Sequence, residues 1–285
     1  MRTHIMIPDC QVTPDTPTDH LEWIGKYIVE QKPDVIVNIG DFADMESLSS
    51  YDKGRRQFEG RRYIKDIDCA RKAMARLMKP LEEYNEKRAQ YKEKKYRPEL
   101  HLTLGNHEYR IQRAIDGQAE LDGVMGLMDL CYEDFGWTVH PFKEVAVIDG
   151  VHYSHYFYNP QNGRAFGGQS IDTRLKNIGF SFTMGHQQVS MTGQRYLNNG
   201  QRIRGLVCGA CYLHDESYIG PQGNAYWRGI FVKHEVKNGE YDLMEVSLDY
   251  LCRRYEGVPV WEFMRENHPD IFNNSTWMKH QEAAA

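Results

Sequence analysis

Two short apolar runs, with one helix-length segment between them, constrain this chain most. Residues 34–39, Asp-Val-Ile-Val-Asn-Ile, read as a parallel strand buried on both faces. Residues 2–7 read as a strand before it, running into Pro8-Asp9-Cys10-Gln11. Between them, Asp15-Thr16-Pro17 offers a capping oxygen and a proline suited to the first turn, so a helix is predicted to start there. Leu21, Ile24 and Ile28 fall on one helical face, and Pro33 ends it. This is a β-α-β unit, and its second strand runs into Gly40-Asp41, so each strand ends in an aspartate. In open α/β sheets, ligands bind in the crevice beyond the carboxyl ends of the strands.

A third strand end strengthens the pattern. Residues 101–104 read as a short buried strand turning sharply at Gly105-Asn106-His107-Glu108, where the glycine permits the turn and an amide and an imidazole follow. Residues 109–119 are predicted to continue as a helix that keeps Arg110 and Arg113 near the turn. Before it, residues 53–97 hold 16 Lys/Arg against 7 Asp/Glu, with Ile64, Ile67, Ala70, Met74, Leu77, Met78 and Leu81 as an apolar stripe. That composition fits an amphipathic helix packed on the sheet, or a basic, Tyr-bearing surface for a polyanion.

Past Trp137 the pattern changes to short strands. Residues 144–148 and 151–154 form a predicted hairpin about Asp149-Gly150, with His155 at the end of its second arm. Residues 180–184 end in Gly185-His186-Gln187-Gln188, and residues 206–208, 227–236 and 241–248 are expected to complete a second, largely antiparallel set. Residues 260–266 suit a short helix, and the final alanines a frayed end. Without repeats or low-complexity linkers, one domain is expected over residues 1–250, with a basic helical insert at about 45–99 and an extension over 251–285.

Asp9, Gln11, Asp41, Asn106, His107, His155, His186 and Gln188 thus stand at five strand ends. Carboxylates and amides suit hard divalent cations, and imidazoles suit borderline ones. Taken in order, the blocks Asp9-Cys10-Gln11, Gly40-Asp41, Gly105-Asn106-His107-Glu108, Tyr153-Ser154-His155 and Gly185-His186-Gln187-Gln188 resemble the calcineurin-like metallophosphoesterase superfamily over residues 5–190. The resemblance implies an α/β/β/α sandwich of two mixed β-sheets flanked by helices, and hydrolysis of a phosphoester. Asp41 would bridge two metals, with Asp9, Gln11 and Gln188 serving the first and Asn106, His155 and His186 the second. A metal-bound hydroxide would attack phosphorus while His107 assists the leaving group. Arg110 is a candidate phosphate contact, because arginine can bind two phosphate oxygens at once. His152 competes with His155 for the fourth block, but it lies further back on the strand. The basic insert and the carboxyl-terminal stretch look like versions carried by tailed bacteriophages.

Gln11 and Gln188 depart from the pattern, standing where the superfamily has histidines of the first metal. Three readings follow: a first site retuned for a hard metal, a first site that is weak or empty, or a catalytically dead member. Mn2+ or Mg2+, one or two per chain, are the expected cofactors. The expected partner is a phosphoester substrate, with a phosphodiester of a nucleotide or nucleic acid preferred to a phosphomonoester. A non-catalytic nucleic-acid or protein-binding module is the rival from another class.

A formal net charge of −5 argues against a basic nucleic-acid coat, and no apolar run approaches the roughly 20 residues of a membrane span. The amino terminus carries no signal-peptide pattern, and six scattered cysteines do not make a disulfide framework. A reduced, cytoplasmic setting is therefore expected, in a bacterial host if the gene is phage-borne. Cys208-Gly-Ala-Cys211 with His214 looks like half a zinc site, but no second pair follows, so buried core cysteines are expected. Cys10, in the middle of its block, is expected to point away from the proposed ligands. Tyr212, His214 and Tyr218 either line the substrate groove or lie on the surface.

Overall fold

A computed structural model describes residues 1–285 except 51–53, 55–57, 167, 169 and 217. In chain order the strands are β1 (Arg2–Ile7), β2 (Val35–Asn38), β3 (Glu99–Thr103), β4 (Thr138–His140), β5 (Ala146–Ile148), β6 (Val151–Tyr153), β7 (Phe182–Met184), β8 (Ser190–Tyr196), β9 (Arg202–Cys208), β10 (Gly229–Lys237) and β11 (Glu240–Ser247). The helices are α1 (Asp19–Gln31), α2 (Tyr63–Gln90), α3 (Tyr109–Gly117), α4 (Ile171–Ile178), a short α5 (Gly220–Asn224), α6 (Leu248–Glu256), α7 (Val260–Asn267), α8 (Pro269–Asn274) and α9 (Thr276–Ala283).

One sheet has the order β11-β10-β1-β2-β3-β4 and the other β5-β6-β7-β9-β8. In the first, β1 to β4 run parallel and β10 and β11 are antiparallel additions at the β1 side. In the second, β6, β7 and β9 are parallel, with β5 and β8 antiparallel at the edges. Both sheets are mixed, and helices flank the pair.

The two-residue period of a strand explains the layering. In β1 and β2, Ile5, Ile7 and Ile36 face one way, into a cluster with Leu21 and Ile24 of α1 and Ala70, Met74 and Leu77 of α2. Met6, Val35 and Val37 face the other way and meet Val151, Tyr153 and Leu206 of the second sheet. The far side of that sheet is covered by α4, whose Leu175 packs with Phe182, Met184 and Val207. Helices α6 to α9 join the first cluster through Leu251, Met264, Phe272 and Trp277, so the carboxyl-terminal segment extends the helical layer over α1.

Several expectations are corrected. Strands β10 and β11 belong to the first sheet, because β1 leaves an edge that β10 fills with Ile230 and Val232 on the helix side and Phe231 between the sheets. The second set is accordingly mixed, not largely antiparallel. Helix α1 begins at Asp19, since Thr16 turns back to hydrogen-bond Thr13. Helix α3 ends at Gly117, short of residue 119. Ile64 is 69% exposed, three residues before the buried apolar stripe that starts at Ile67. Lys53, Arg55 and Arg56 of the basic insert lie outside the described residues. No helix among the described residues is long and apolar enough to cross a membrane.

One lysine is enclosed between the sheets. Lys233 is fully buried, its Nζ beside the Thr183 hydroxyl and 4.4 Å from the centre of the Tyr241 ring. Burial pushes its pKa down to about 7. At this lysine the unfolded chain therefore binds more protons between about pH 7 and 10, and its contribution to stability rises with pH across that window. Lys233→Met is expected to be neutral or to stabilise by about 1–4 kcal/mol, most at or below pH 7. Thermal melts of both proteins at pH 7 and 9 check this; equal differences at the two pH values would refute it.

Candidate metal centre

The carboxyl ends of β1, β2 and β3 and the ends of β6 and β7 converge on one spot. Asp41, His155 and His186 place ligand atoms within 4.8 Å of one another. His155 Nδ1 donates to the carbonyl of Ile39 at 2.9 Å, which leaves the lone pair of Nε2 facing inward. Facing it, at 3.1 Å each, are Asp41 Oδ2 and Asn106 Oδ1. Three acceptor lone pairs aimed at one point require a shared cation, either a proton or a metal. An outer carbonyl fixing the ring orientation is the usual support of a metal-ligating histidine. The donor set fits a divalent cation held by Asp41, Asn106, His155 and His186.

The backbone is bent to make this possible. Gln11, Asp41 and His186 have φ values of 44°, 48° and 67°, a region that non-glycine residues enter only when the surroundings force them. Two glycines make room beside them. A Cβ on Gly105 would sit 2.0 Å from Asp41 Oδ1, and one on Gly185 would sit 2.3 Å from Asp9 Oδ1. Asp9 in turn accepts from the backbone N–H of His186 at 3.0 Å.

Charge is distributed to match. Burial alone would lower His155, yet Asp41 raises it to about 9. Burial pushes Asp9 up to about 8, against the pull of His155. Burial would also raise Asp41, but His107 and His155 hold it well below the carboxylate range. Burial, reinforced by the charge of His155, takes His186 down to about 4, so that ring is neutral and ready to ligate. A cation entering near neutral pH must displace the proton on His155. Affinity for Mn2+ is therefore expected to rise about tenfold per pH unit between pH 6 and 8. Calorimetric titrations at pH 6, 7 and 8 check this, and a flat profile would rule out competition between cation and proton.

His107 stands at the rim of the cluster. Its backbone N–H donates to Asp41 Oδ1 at 2.9 Å, and its Nε2 lies 3.7 Å from Asp41 Oδ2. Its Nδ1 is hydrogen-bonded to Asp44, and Arg110 Nη2 lies 3.3 Å from its Nε2. Although burial opposes it, Asp41 and Asp44 raise its pKa. Arg110 is anchored through Nη1 to the Asp44 carbonyl at 2.7 Å, which places its guanidinium beside the cluster. His152 is elsewhere, stacked on Phe180 with its Nδ1 at the Ser181 carbonyl.

Gln11 and Gln188 do not face the cluster with free oxygens. The Tyr218 hydroxyl donates to Gln11 Oε1 at 3.2 Å and also accepts from Gln188 Nε2. The Tyr212 hydroxyl donates to Gln188 Oε1 at 2.6 Å. Each amide oxygen that a first metal would use thus already accepts from a phenol. Tyr218 is 63% exposed as a residue, so its ring faces solvent while its hydroxyl bridges the two glutamines.

Two partners escaped the sequence reading. Asp44 lies three residues after Asp41, a spacing with no motif of its own. Glu108 was visible only as the last letter of its block. It is fully buried and accepts from the backbone N–H groups of Asp41, Ala43 and Gly105 at 2.9–3.0 Å, lashing two ligand loops together. A cleft of about 760 Å³ lies at the opposite, amino ends of β1 to β3, lined by Lys32, Arg88, Lys94, Lys95 and Arg97 among others. That end of the basic insert is thus remote from the cluster.

No protein-family model matches the sequence, and no curated protein does. Among solved structures, the chain aligns with wild-type Vps29 of Entamoeba histolytica complexed with Zn2+ at 8% identity and a TM-score of 0.37. That alignment covers 86% of this chain and 99% of that one. A second solved structure aligns at 12% identity and a TM-score of 0.38, with the same coverage. Likeness at this level leaves the fold to be argued from its sheets and the chemistry from its side chains.

Proposed function

We propose that the chain is a metal-dependent phosphoesterase with one resident divalent cation, Mn2+ or Mg2+, held by Asp41, Asn106, His155 and His186. The observation that carries this reading is the convergence of three acceptors on one point beside a histidine held by a carboxylate. Held by these residues, a cation would supply positive charge to a phosphoryl oxygen and would acidify a water. His107, whose pKa Asp41 and Asp44 raise, gives its proton to the departing oxygen. Arg110 holds a non-bridging oxygen beside it. Asp9 orients the His186 loop through its backbone N–H.

The phenol clamp favours one cation over two. Mn2+ titration is expected to give one ion per chain in the wild type. Two are expected when Gln11→His and Gln188→His are combined with Tyr218→Phe, because imidazoles then replace occupied amides. Two ions in the wild type would overturn the single-cation assignment.

The substrate we favour is a phosphodiester of a nucleotide or nucleic acid. The metal-stripped protein, refilled with Mn2+, Mg2+, Zn2+ or Ca2+, is expected to hydrolyse bis-p-nitrophenyl phosphate faster than p-nitrophenyl phosphate. The reverse order would make it a phosphomonoesterase. The same clamp supports a second reading, a non-catalytic binding module. Silence with every metal, in a protein that still binds one Mn2+, would establish that alternative.

A further inference from the structure

Behind the strand end that carries Asp9 lies a second group of ligand atoms, separate from the cluster above. Cys10 Sγ, Cys211 Sγ and a ring nitrogen of His20 fall within 4.8 Å of one another. All three residues are at most 1% exposed. They come from three segments: the loop after β1, the loop after β9, and the first turn of α1. The two loops are stitched together, since the Cys211 N–H donates to the Asp9 carbonyl at 2.8 Å. Cys10 does point away from Asp9 and Gln11, and this group lies on the side it faces.

His20 is the anomaly. Both its ring nitrogens are buried without a hydrogen-bond partner. The Cys211 backbone lies near enough to favour a charged ring, but makes no hydrogen bond of acceptable geometry with it. A neutral imidazole buried with both nitrogens unsatisfied is costly, and a ligated ion satisfies the one that carries the lone pair. A fourth donor stands nearby. His214 is three residues beyond Cys211; its Nε2 pairs with Glu216 Oε1 at 2.8 Å, and its Nδ1 is buried and unpartnered. A carboxylate on one ring nitrogen with the other left free is the arrangement typical of a metal-ligating histidine. His214 Nδ1 is not one of the three atoms that already converge.

We propose that Cys10, Cys211 and His20, completed by His214, form a zinc-class binding site that clamps the Asp9 loop to α1 and to the segment after β9. Two thiolates and imidazoles select zinc over Mn2+, Mg2+ or Ca2+. Tetrahedral zinc with sulfurs at about 2.3 Å places them about 3.8 Å apart, within the observed spread. Each thiol loses its proton to solvent as the ion binds, with no change of oxidation state.

Sulfur distinguishes this site from the other, which contains none. The full-length protein, stripped and reloaded with Co2+, is expected to show a near-ultraviolet thiolate-to-cobalt charge-transfer band. The band should persist in Asp41→Asn, weaken in Cys211→Ser and His20→Gln, and vanish when Cys10→Ser and Cys211→Ser are combined. Should those variants fail to fold, X-ray absorption of the zinc-loaded wild type gives the same answer, with sulfur neighbours at about 2.3 Å expected. Absence of both the band and the sulfur shell in folded wild-type protein would overturn the proposal. So would thiol titration showing Cys10 and Cys211 joined as a disulfide. None of these readouts depends on phosphoester hydrolysis, so the site stands or falls apart from the proposed activity.

Discussion

His107→Ala is expected to lower hydrolysis of bis-p-nitrophenyl phosphate by roughly 10²–10⁴-fold, the range for removing a positioned general acid. Mn2+ binding should survive, because the imidazole lies outside the group formed by Asp41, His155 and His186. The deficit should grow when p-nitrophenol is replaced by phenol, a poorer leaving group with more need of a proton. The pH profile tests the same role with a gentler change. Asp44 helps hold His107 above its ordinary pKa. Asp44→Asn removes that charge, so His107 deprotonates earlier and the alkaline limb of the rate profile shifts to lower pH. If His107→Ala retains full activity towards both leaving groups, proton donation must come from elsewhere.

Glu108→Ala should be the most damaging substitution for the fold around the site. It strands three buried N–H groups, those of Asp41, Ala43 and Gly105, each costing about 1–3 kcal/mol when left unpaired. Because these contributions do not add fully, a loss on the order of 4 kcal/mol is expected. For a chain of this size, that corresponds to a fall in Tm of roughly 10 °C. Mn2+ affinity should fall with it, since Asp41 loses the bond that holds its left-handed backbone. Glu108→Gln keeps the shape and one acceptor and should lie between. Differential scanning calorimetry and Mn2+ titration measure both effects; a Glu108→Ala melt matching the wild type would show that the loops hold themselves.

What was legible in the sequence was local. The strand ends at Asp9, Asp41, Asn106 and His155 could be read because each follows a short apolar run and closes with a turn residue. Their convergence follows once the strands run parallel in order. The pairing of β10 with β1 was not legible, since a strand's apolar pattern does not name its neighbour. Tyr218 was ambiguous for a related reason: only the folded loop reveals that its hydroxyl meets two amides from opposite parts of the chain. Cys10, His20 and Cys211 carry no shared spacing, so a search for paired motifs passes over them. Asp44 and Glu108 act through backbone and ring contacts that leave no mark on composition.

The placement of β1 bears on how this protein is made. β1 sits between β2 and β10, so one of its edges stays bare until a strand most of the chain's length away has left the ribosome. Pairings between such distant segments are slow, and an open apolar strand edge invites association with other chains. Early release of the chain before β10 would leave the Asp9 loop without its flanking strand. Stalled or truncated translation products should therefore aggregate or engage chaperones instead of accumulating as a smaller folded domain.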